Sequence, residues 1–371
     1  MRDDKNKPHQ IDHCARFGAT LSAAKIVVPY YFAMRINIAM IFVSVMLCSS
    51  AARAADPVLV SAERIAFGSC LRQSKPAPIF KTIAANKPDV FIWLGDNVYG
   101  DSENPDVMRQ AYDTLASLDG FAQLRAAVPF LYIWDDHDLG KNDAGVEFPT
   151  IEQNKKIMLD FFGAPASTDR RTRVGNYDST IVESAGRRVQ FVLLDTRSFR
   201  TSLKSLVGAK KRTYVPNDDI AATVLGAAQW AWLEAELKKP ADVRIVCSSI
   251  QVLPTKHRFE KWANFPKERE RLLSMLDPKN TIILSGDRHH GAMFIDPAGK
   301  LPPEVTSSSL NTTGNPTPED DAEPLRVGKA FTQPHYAELS FTKDNSLSVR
   351  FIDASGKIVG NFENVLKLLQ R

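Results

Sequence analysis

Five segments of this sequence end in residues suited to binding metal or phosphate, and each follows an apolar run. FGSC closes on Cys70. WLGDNVYGD carries Asp96, Tyr99 and Asp101. IWDDHDLGKND carries Asp135, Asp136, His137, Asp138, Asn142 and Asp143. LLDTRSFR carries Asp195, Arg197 and Arg200, and ILSGDRHH carries Asp287, His289 and His290. One aspartate at a strand end is ordinarily a turn or a cap. Five such clusters in one chain point instead to a shared site, because ligands of open α/β sheets bind beyond the carboxyl ends of the strands. Thiolate, phenolate and imidazole donors suit a transition metal, whereas carboxylate and amide oxygens suit a hard ion. A phenolate among several anions suits a trivalent ion, iron first. The set is too mixed for a structural zinc site, which takes four Cys or His. Two ions sharing one carboxylate would make the clamp that hydrolyses phosphate esters.

The elements that must position these residues alternate. Strands are expected over ERIAFGSC (63–70), DVFIWLGD (89–96), PFLYIWDDHD (129–138), RRVQFVLLDTR (187–197), RIVCSSIQVL (244–253) and TIILSGDRHH (281–290). Their unbroken apolar runs read as strands buried on both faces. Helices are expected over 78–87, 105–118, 120–128, 150–163, 226–239 and 265–276 from apolar spacing. Thr150 and Gln153 resemble a capping box and Gly163 a stop. From residue 291 the pattern is strands and turns (AMFID, EVTSSSL, HYAELSFT, SLSVRFID, KIVGNF), and 201–225 and 311–325 read as surface loops.

The chain has 371 residues, 44% hydrophobic and 24% charged, and a formal charge of +4. That composition is globular. The positive excess is local: residues 1–54 hold seven Lys/Arg and three Asp/Glu, and the remaining 317 residues balance at forty of each. Charge therefore implies no nucleic-acid binding. INIAMIFVSVML (36–47) behind Arg35, followed by CSSAARA, describes a secretory signal peptide over about 34–54 with cleavage after Ala52-Arg53-Ala54. Residues 1–33 then read as a misassigned start, and 55–371 as a single exported domain, periplasmic or secreted. Pro29 and Arg35 interrupt the apolar stretch, so no stable membrane span is expected after processing. Export leaves Cys70 and Cys247, for which one disulfide is possible. Trp93, Trp134, Trp230 and Trp232 read as core. Trp262 reads equally as core or cleft lining. Arg197 either pairs with Asp195 or meets substrate.

In this order, GDNVY, WDDHD followed by ND, LDTRSFR and SGDRHH resemble the alkaline phosphatase D family of metallophosphatases, within the calcineurin-like metallophosphoesterase superfamily. The resemblance covers roughly Ile65 to Leu310. It implies an α/β fold, a four-layer αββα sandwich, with a site for Fe3+ and Ca2+ between two sheets. By that resemblance Asp96 bridges both ions, Cys70, Tyr99 and His289 hold iron, and Asp136, Asn142 and Asp287 hold the second ion. His137 is the catalytic histidine, Asp138 its orienting partner, and Arg200 faces the substrate phosphate. His290 departs from the pattern and either replaces His289 or lines the pocket. The expected activity is hydrolysis of small-molecule, lipid or polymer phosphate esters. The alternatives are a non-catalytic metal- or phosphate-binding protein on the same scaffold, or a thiol- or serine-dependent hydrolase. Against the thiol route, Pro76 stands where a Cys-x5-Arg loop needs arginine. No G-x-S-x-G elbow is present for a serine route.

Overall fold

The computed structural model describes residues 57–368. The signal-peptide reading (34–54), its cleavage site, and Cys14 and Cys48 lie outside the described residues. In chain order the elements are β1 (Arg64–Gly68), α1 (Ile79–Asn86), β2 (Val90–Leu94), α2 (Pro105–Ser117), α3 (Phe121–Ala127), β3 (Phe130–Ile133), α4 (Asp136–Leu139), α5 (Ile151–Phe161), β4 (Asp178–Ser184) and β5 (Arg187–Leu193). There follow α6 (Gly226–Leu237), β6 (Val243–Ser248), α7 (Pro266–Met275), β7 (Thr281–Ser285), β8 (Gly291–Phe294), β9 (Glu304–Ser307), α8 (Pro318–Asp321), β10 (Arg326–Phe331), β11 (His335–Phe341), β12 (Ser346–Asp353) and β13 (Ile358–Lys367).

Two sheets result, ordered β13-β12-β11-β1-β2-β3 and β10-β8-β9-β7-β6-β5-β4. Their centres are parallel: β1, β2 and β3 in the first, and β5, β6, β7 and β9 in the second. Alternation along each strand builds the layers. In β2, Val90, Ile92 and Leu94 enter the core between the sheets, while Phe91 and Trp93 face α1, α2, α3 and α5. In β6 and β7, Ile245, Cys247, Ile282 and Leu284 face inward, and Val246 and Ile283 pack under Trp230, Leu233 and Leu272 of α6 and α7. Helices, sheet, sheet and helices are the αββα sandwich expected. The parallel strands of both sheets deliver their carboxyl ends to one edge.

The structure settles several local expectations. Thr150 precedes α5 but its side chain caps no backbone N–H, so no capping box forms. Gly163 does stop the helix, at φ 73°. Cys70 and Cys247 are both free and buried, and no disulfide joins them. Trp262 is fully buried and donates to Ser248 Oγ at 3.0 Å, so it lines no cleft. β4 and β10 escape the apolar-run criterion because both are edge strands with few buried positions. The segment 311–325 carries the single turn α8. Among the described residues no helix is long and apolar enough to cross a membrane.

Candidate metal centre

Three of the central strands, β1, β2 and β7, end where the chain turns sharply. Cys70 after β1, Asp96 after β2, and Asp287 and His289 after β7 all have positive φ, at 61°, 49°, 68° and 55°. That region costs a side-chain-bearing residue energy and concentrates at functional sites. Two glycines make the convergence possible. A Cβ on Gly95, at φ 96°, would lie 2.6 Å from the Asp135 Cβ, and one on Gly286 would lie 2.6 Å from Ser69 Oγ, where the loops of the two sheets touch.

The side chains gather around Asp96. Its Oδ2 accepts from the Tyr99 hydroxyl at 3.0 Å and lies 3.4 Å from Cys70 Sγ. Tyr99 in turn lies 3.0 Å from His289 Nε2. The donor atoms of Cys70, Asp96 and His289 all fall within 4.8 Å of one another, and so do those of Asp96, Asp136 and His137. Asp96 belongs to both groups. Its Oδ1 is buried without a hydrogen-bond partner. Asp287 and Asn142 join Asp96, Asp136, His137 and His289 in lining one cavity of 190 Å³. The other walls include Arg212, Phe259, Arg288 and Asn315.

The electrostatics match a site built for cations. Burial pushes the Asp96 carboxyl well above the usual carboxylate range; His137 opposes that shift, and Asp136, Asp135 and Asp138 add to it. Burial, then Asp135, does the same to Asp287. The Cys70 thiol and Tyr99 phenol are also driven up by burial and by Asp96. Asp136 differs: burial pushes it up, but Arg197, His137 and the Asp143 N–H together hold it down at about 2. His289 is pushed down to about 4, chiefly by burial. Burial would lower His137 too, yet Asp96, Asp101 and Asp136 carry it up to about 10. Clustered carboxylates of this kind suppress one another's ionisation unless a cation offsets them. The orphaned Asp96 oxygen and a soft donor set beside a hard one fit two ions.

Of the residues expected here, Cys70, Asp96, Tyr99, Asp136, His137, Asn142, Asp287 and His289 are brought to this one cavity and its immediate wall. Two are not. Asp138 is fully buried and accepts from the backbone N–H groups of Asn97, Val98 and Asp135 and from the Tyr112 hydroxyl, at 3.0–3.2 Å. It holds the GDN turn in place and does not touch His137. The partner of His137 is Asp101, whose Oδ1 lies 2.5 Å from Nδ1. Arg200 is also fully buried, its Nε 2.8 Å from Glu260 and its Nη1 donating to the Thr201 carbonyl. The arginine at the cavity is Arg212, half exposed and 2.5 Å from the Asp143 carboxylate. The Arg197 side chain meets neither the cavity nor the Asp195 carboxylate, which accepts from Arg197 only its backbone N–H, at 2.9 Å. Its guanidinium joins Asp135 at 2.5 Å and Glu260 at 2.6 Å. Asp195 instead caps the 196–198 turn and takes the Trp134 indole N–H. His290 is buried with Nδ1 unpartnered and belongs to neither donor group. Glu260 and Arg212 gave no sequence signal beyond charge, since both lie on loops without periodicity.

The sequence profile of the PhoD-like phosphatase family matches residues 174–359. Among curated proteins no sequence relative matches. Among solved structures the chain is similar to PhoD, at 18% identity and TM-score 0.63 over 84% of this chain and 74% of that one. It is also similar to the purple acid phosphatase PPD1 of yellow lupin, at 13% identity and TM-score 0.54 over 83% of this chain and 55% of that one. A dimetal phosphatase from Danio rerio matches at 14% identity and TM-score 0.50 over 83% of this chain and 98% of that one. At these identities the likeness is one of fold.

Proposed function

This chain belongs to the PhoD-like phosphatase family, and we propose that it is an exported two-metal hydrolase of phosphate esters. The observation that carries this reading is the Asp96 carboxylate, shared by two donor groups in one cavity that also contains His137. Cys70, Tyr99, Asp96 and His289 would hold Fe3+. Asp96, Asp136, Asn142 and Asp287 would hold Ca2+, an ion that takes oxygen ligands. When bound, the two ions supply Lewis-acid polarisation of the phosphoryl group and a more acidic water.

The chain's own residues do the rest. His137 packs at a tilt beside Tyr99, ring centroids 4.1 Å apart, and is tethered through Nδ1 to Asp101. Nε2 is thereby left to donate a proton to the leaving oxygen. Arg212 exchanges Asp143 for the phosphoryl oxygens, a charge-assisted contact suited to its guanidinium. Phe259 and Asn315 flank the group carried by the ester. Processing near Ala55 would leave one metallophosphatase domain, 55–371, in the periplasm or outside the cell.

Metal analysis of purified protein, with a panel of phosphomonoesters and phosphodiesters, tests the reading. Asp96→Asn is expected to lose metal and activity together. His137→Ala is expected to keep its metals and lose roughly 10²–10⁴-fold in turnover. That loss shrinks for nitrophenyl esters, whose leaving group needs no proton, and grows for alkyl esters. Full activity without bound metal, or in Asp96→Asn, would overturn the proposal.

A further inference from the structure

The most exposed large apolar side chain of the described residues sits on a loop at the edge of the cavity. Residues 204–215 fold back as an irregular hairpin. Ser205 bridges to Tyr214, the Leu206 N–H donates to the Thr213 carbonyl at 2.8 Å, and the Val215 N–H donates to the Lys204 carbonyl at 2.9 Å. The base is clamped. Tyr214 and Arg212 both reach the Asp143 carboxylate at 2.5 Å, and the Tyr214 N–H donates to the Arg258 carbonyl at 2.8 Å. The tip projects into water. Every residue from Lys204 to Arg212 is exposed, Val207 by 96% and Leu206 by 50%. Around this apolar pair stand Lys204, Lys210, Lys211 and Arg212, with no acidic residue in 204–215.

We infer that this hairpin docks the protein on an anionic lipid surface. Leu206 and Val207 enter the headgroup layer and the lysines rest on lipid phosphates. The combination of apolar and basic side chains selects the occupant. A soluble polyanion would attract the lysines but gain nothing from burying Leu206 and Val207. A lipid interface uses both, burying apolar area and drawing cations to its negative potential. The clamped base gives the docking an orientation. Arg212 lies five residues from Val207 on the same hairpin and lines the cavity, so the mouth of the site is held near the surface. The docking does not depend on turnover, so it stands or falls separately from the proposed hydrolysis.

Two measurements on the exported protein test this. The first is sedimentation with phosphatidylglycerol and with phosphatidylcholine vesicles. Binding is expected to phosphatidylglycerol only and to weaken with salt. Lys210→Ala with Lys211→Ala should weaken it roughly 25-fold, at about fivefold per lysine. Leu206→Asp with Val207→Asp should abolish it. Hydrolysis of a soluble ester should be unchanged in each case. The second reports on the tip alone: Val207→Trp should shift its emission to the blue on phosphatidylglycerol vesicles and be quenched by brominated lipid. An unshifted emission, equal binding by the variants, or binding of soluble polyphosphate with vesicles ignored would each overturn the docking.

Discussion

At the scale of single residues, His137 shows how near the sequence comes to the site and where it stops. Asp138 is its neighbour in the chain and, from the resemblance, its expected partner. The one-turn helix α4 decides otherwise, because successive residues on a helix do not face each other. Asp138 turns inward to five donors, the Asn97 side-chain amide among them. Asp101 arrives from the loop after β2, thirty-six positions earlier. No spacing rule marks such a pair. The two aspartates should therefore fail differently. Asp138→Asn removes a charged acceptor from several buried N–H groups and should cost about 2–4 kcal/mol of stability. Asp101→Asn, at a part-exposed position, should change stability by about 0.5 kcal/mol or less. It should lower kcat roughly 10–100-fold with KM little changed, more for alkyl than for nitrophenyl esters. Urea denaturation and steady-state kinetics on both variants check this. Equal kinetics for Asp101→Asn and the parent would remove Asp101 from the mechanism.

At the scale of elements, legibility followed burial. β2, β5, β6 and β7 are covered on both faces, so their apolar runs stand out. β4 has only Val182 and Ser184 buried, and β10 bends around Gly328 at φ 71°, so neither leaves an apolar signature. Pairing also hides what an element does. His335 opens β11, donates its N–H to the Ser309 carbonyl, and places its ring against Phe351. Burial pushes its imidazole down to about 4, against an ordinary 6.5 and despite the Gln333 carbonyl. The unfolded chain then binds the proton more readily than the folded one. Stability from this group is full above about pH 6.5 and falls as pH drops towards 4. At pH 5 the loss should be about 2 kcal/mol. His335→Gln should flatten the stability profile between pH 7 and pH 5 by that amount in urea titrations. An unchanged slope would mean that His335 does not titrate in the folded protein in this range.

At the scale of the molecule, the alternation of strands and helices was readable, but the order of strands across two sheets was not, since it rests on pairings between distant segments. That order matters for the site. Cys70, Asp96, Tyr99 and Asp136 come from the first sheet, and Asp287 and His289 from the second. Ions held by both sets would tie the sheets together at one edge and bind only the folded chain. An ion at a hundred times its Kd adds about 2.7 kcal/mol. Stripping two should lower Tm by roughly 5–15 °C at a few degrees per kcal/mol. Asp96 makes the prediction specific. It is buried, has an unpartnered oxygen, and sits among Asp135, Asp136 and Asp138, whose like charges oppose its own. Without ions that charge is a burden, so neutralising it should not weaken the bare protein. Differential scanning with and without chelator should therefore show a large drop for the parent and almost none for Asp96→Asn. The variant's Tm should match or exceed that of the stripped parent. If Asp96→Asn falls well below the stripped parent, Asp96 supports the fold directly. If chelation leaves the parent's Tm unmoved, the two sheets are held by packing alone and the ions do not staple them.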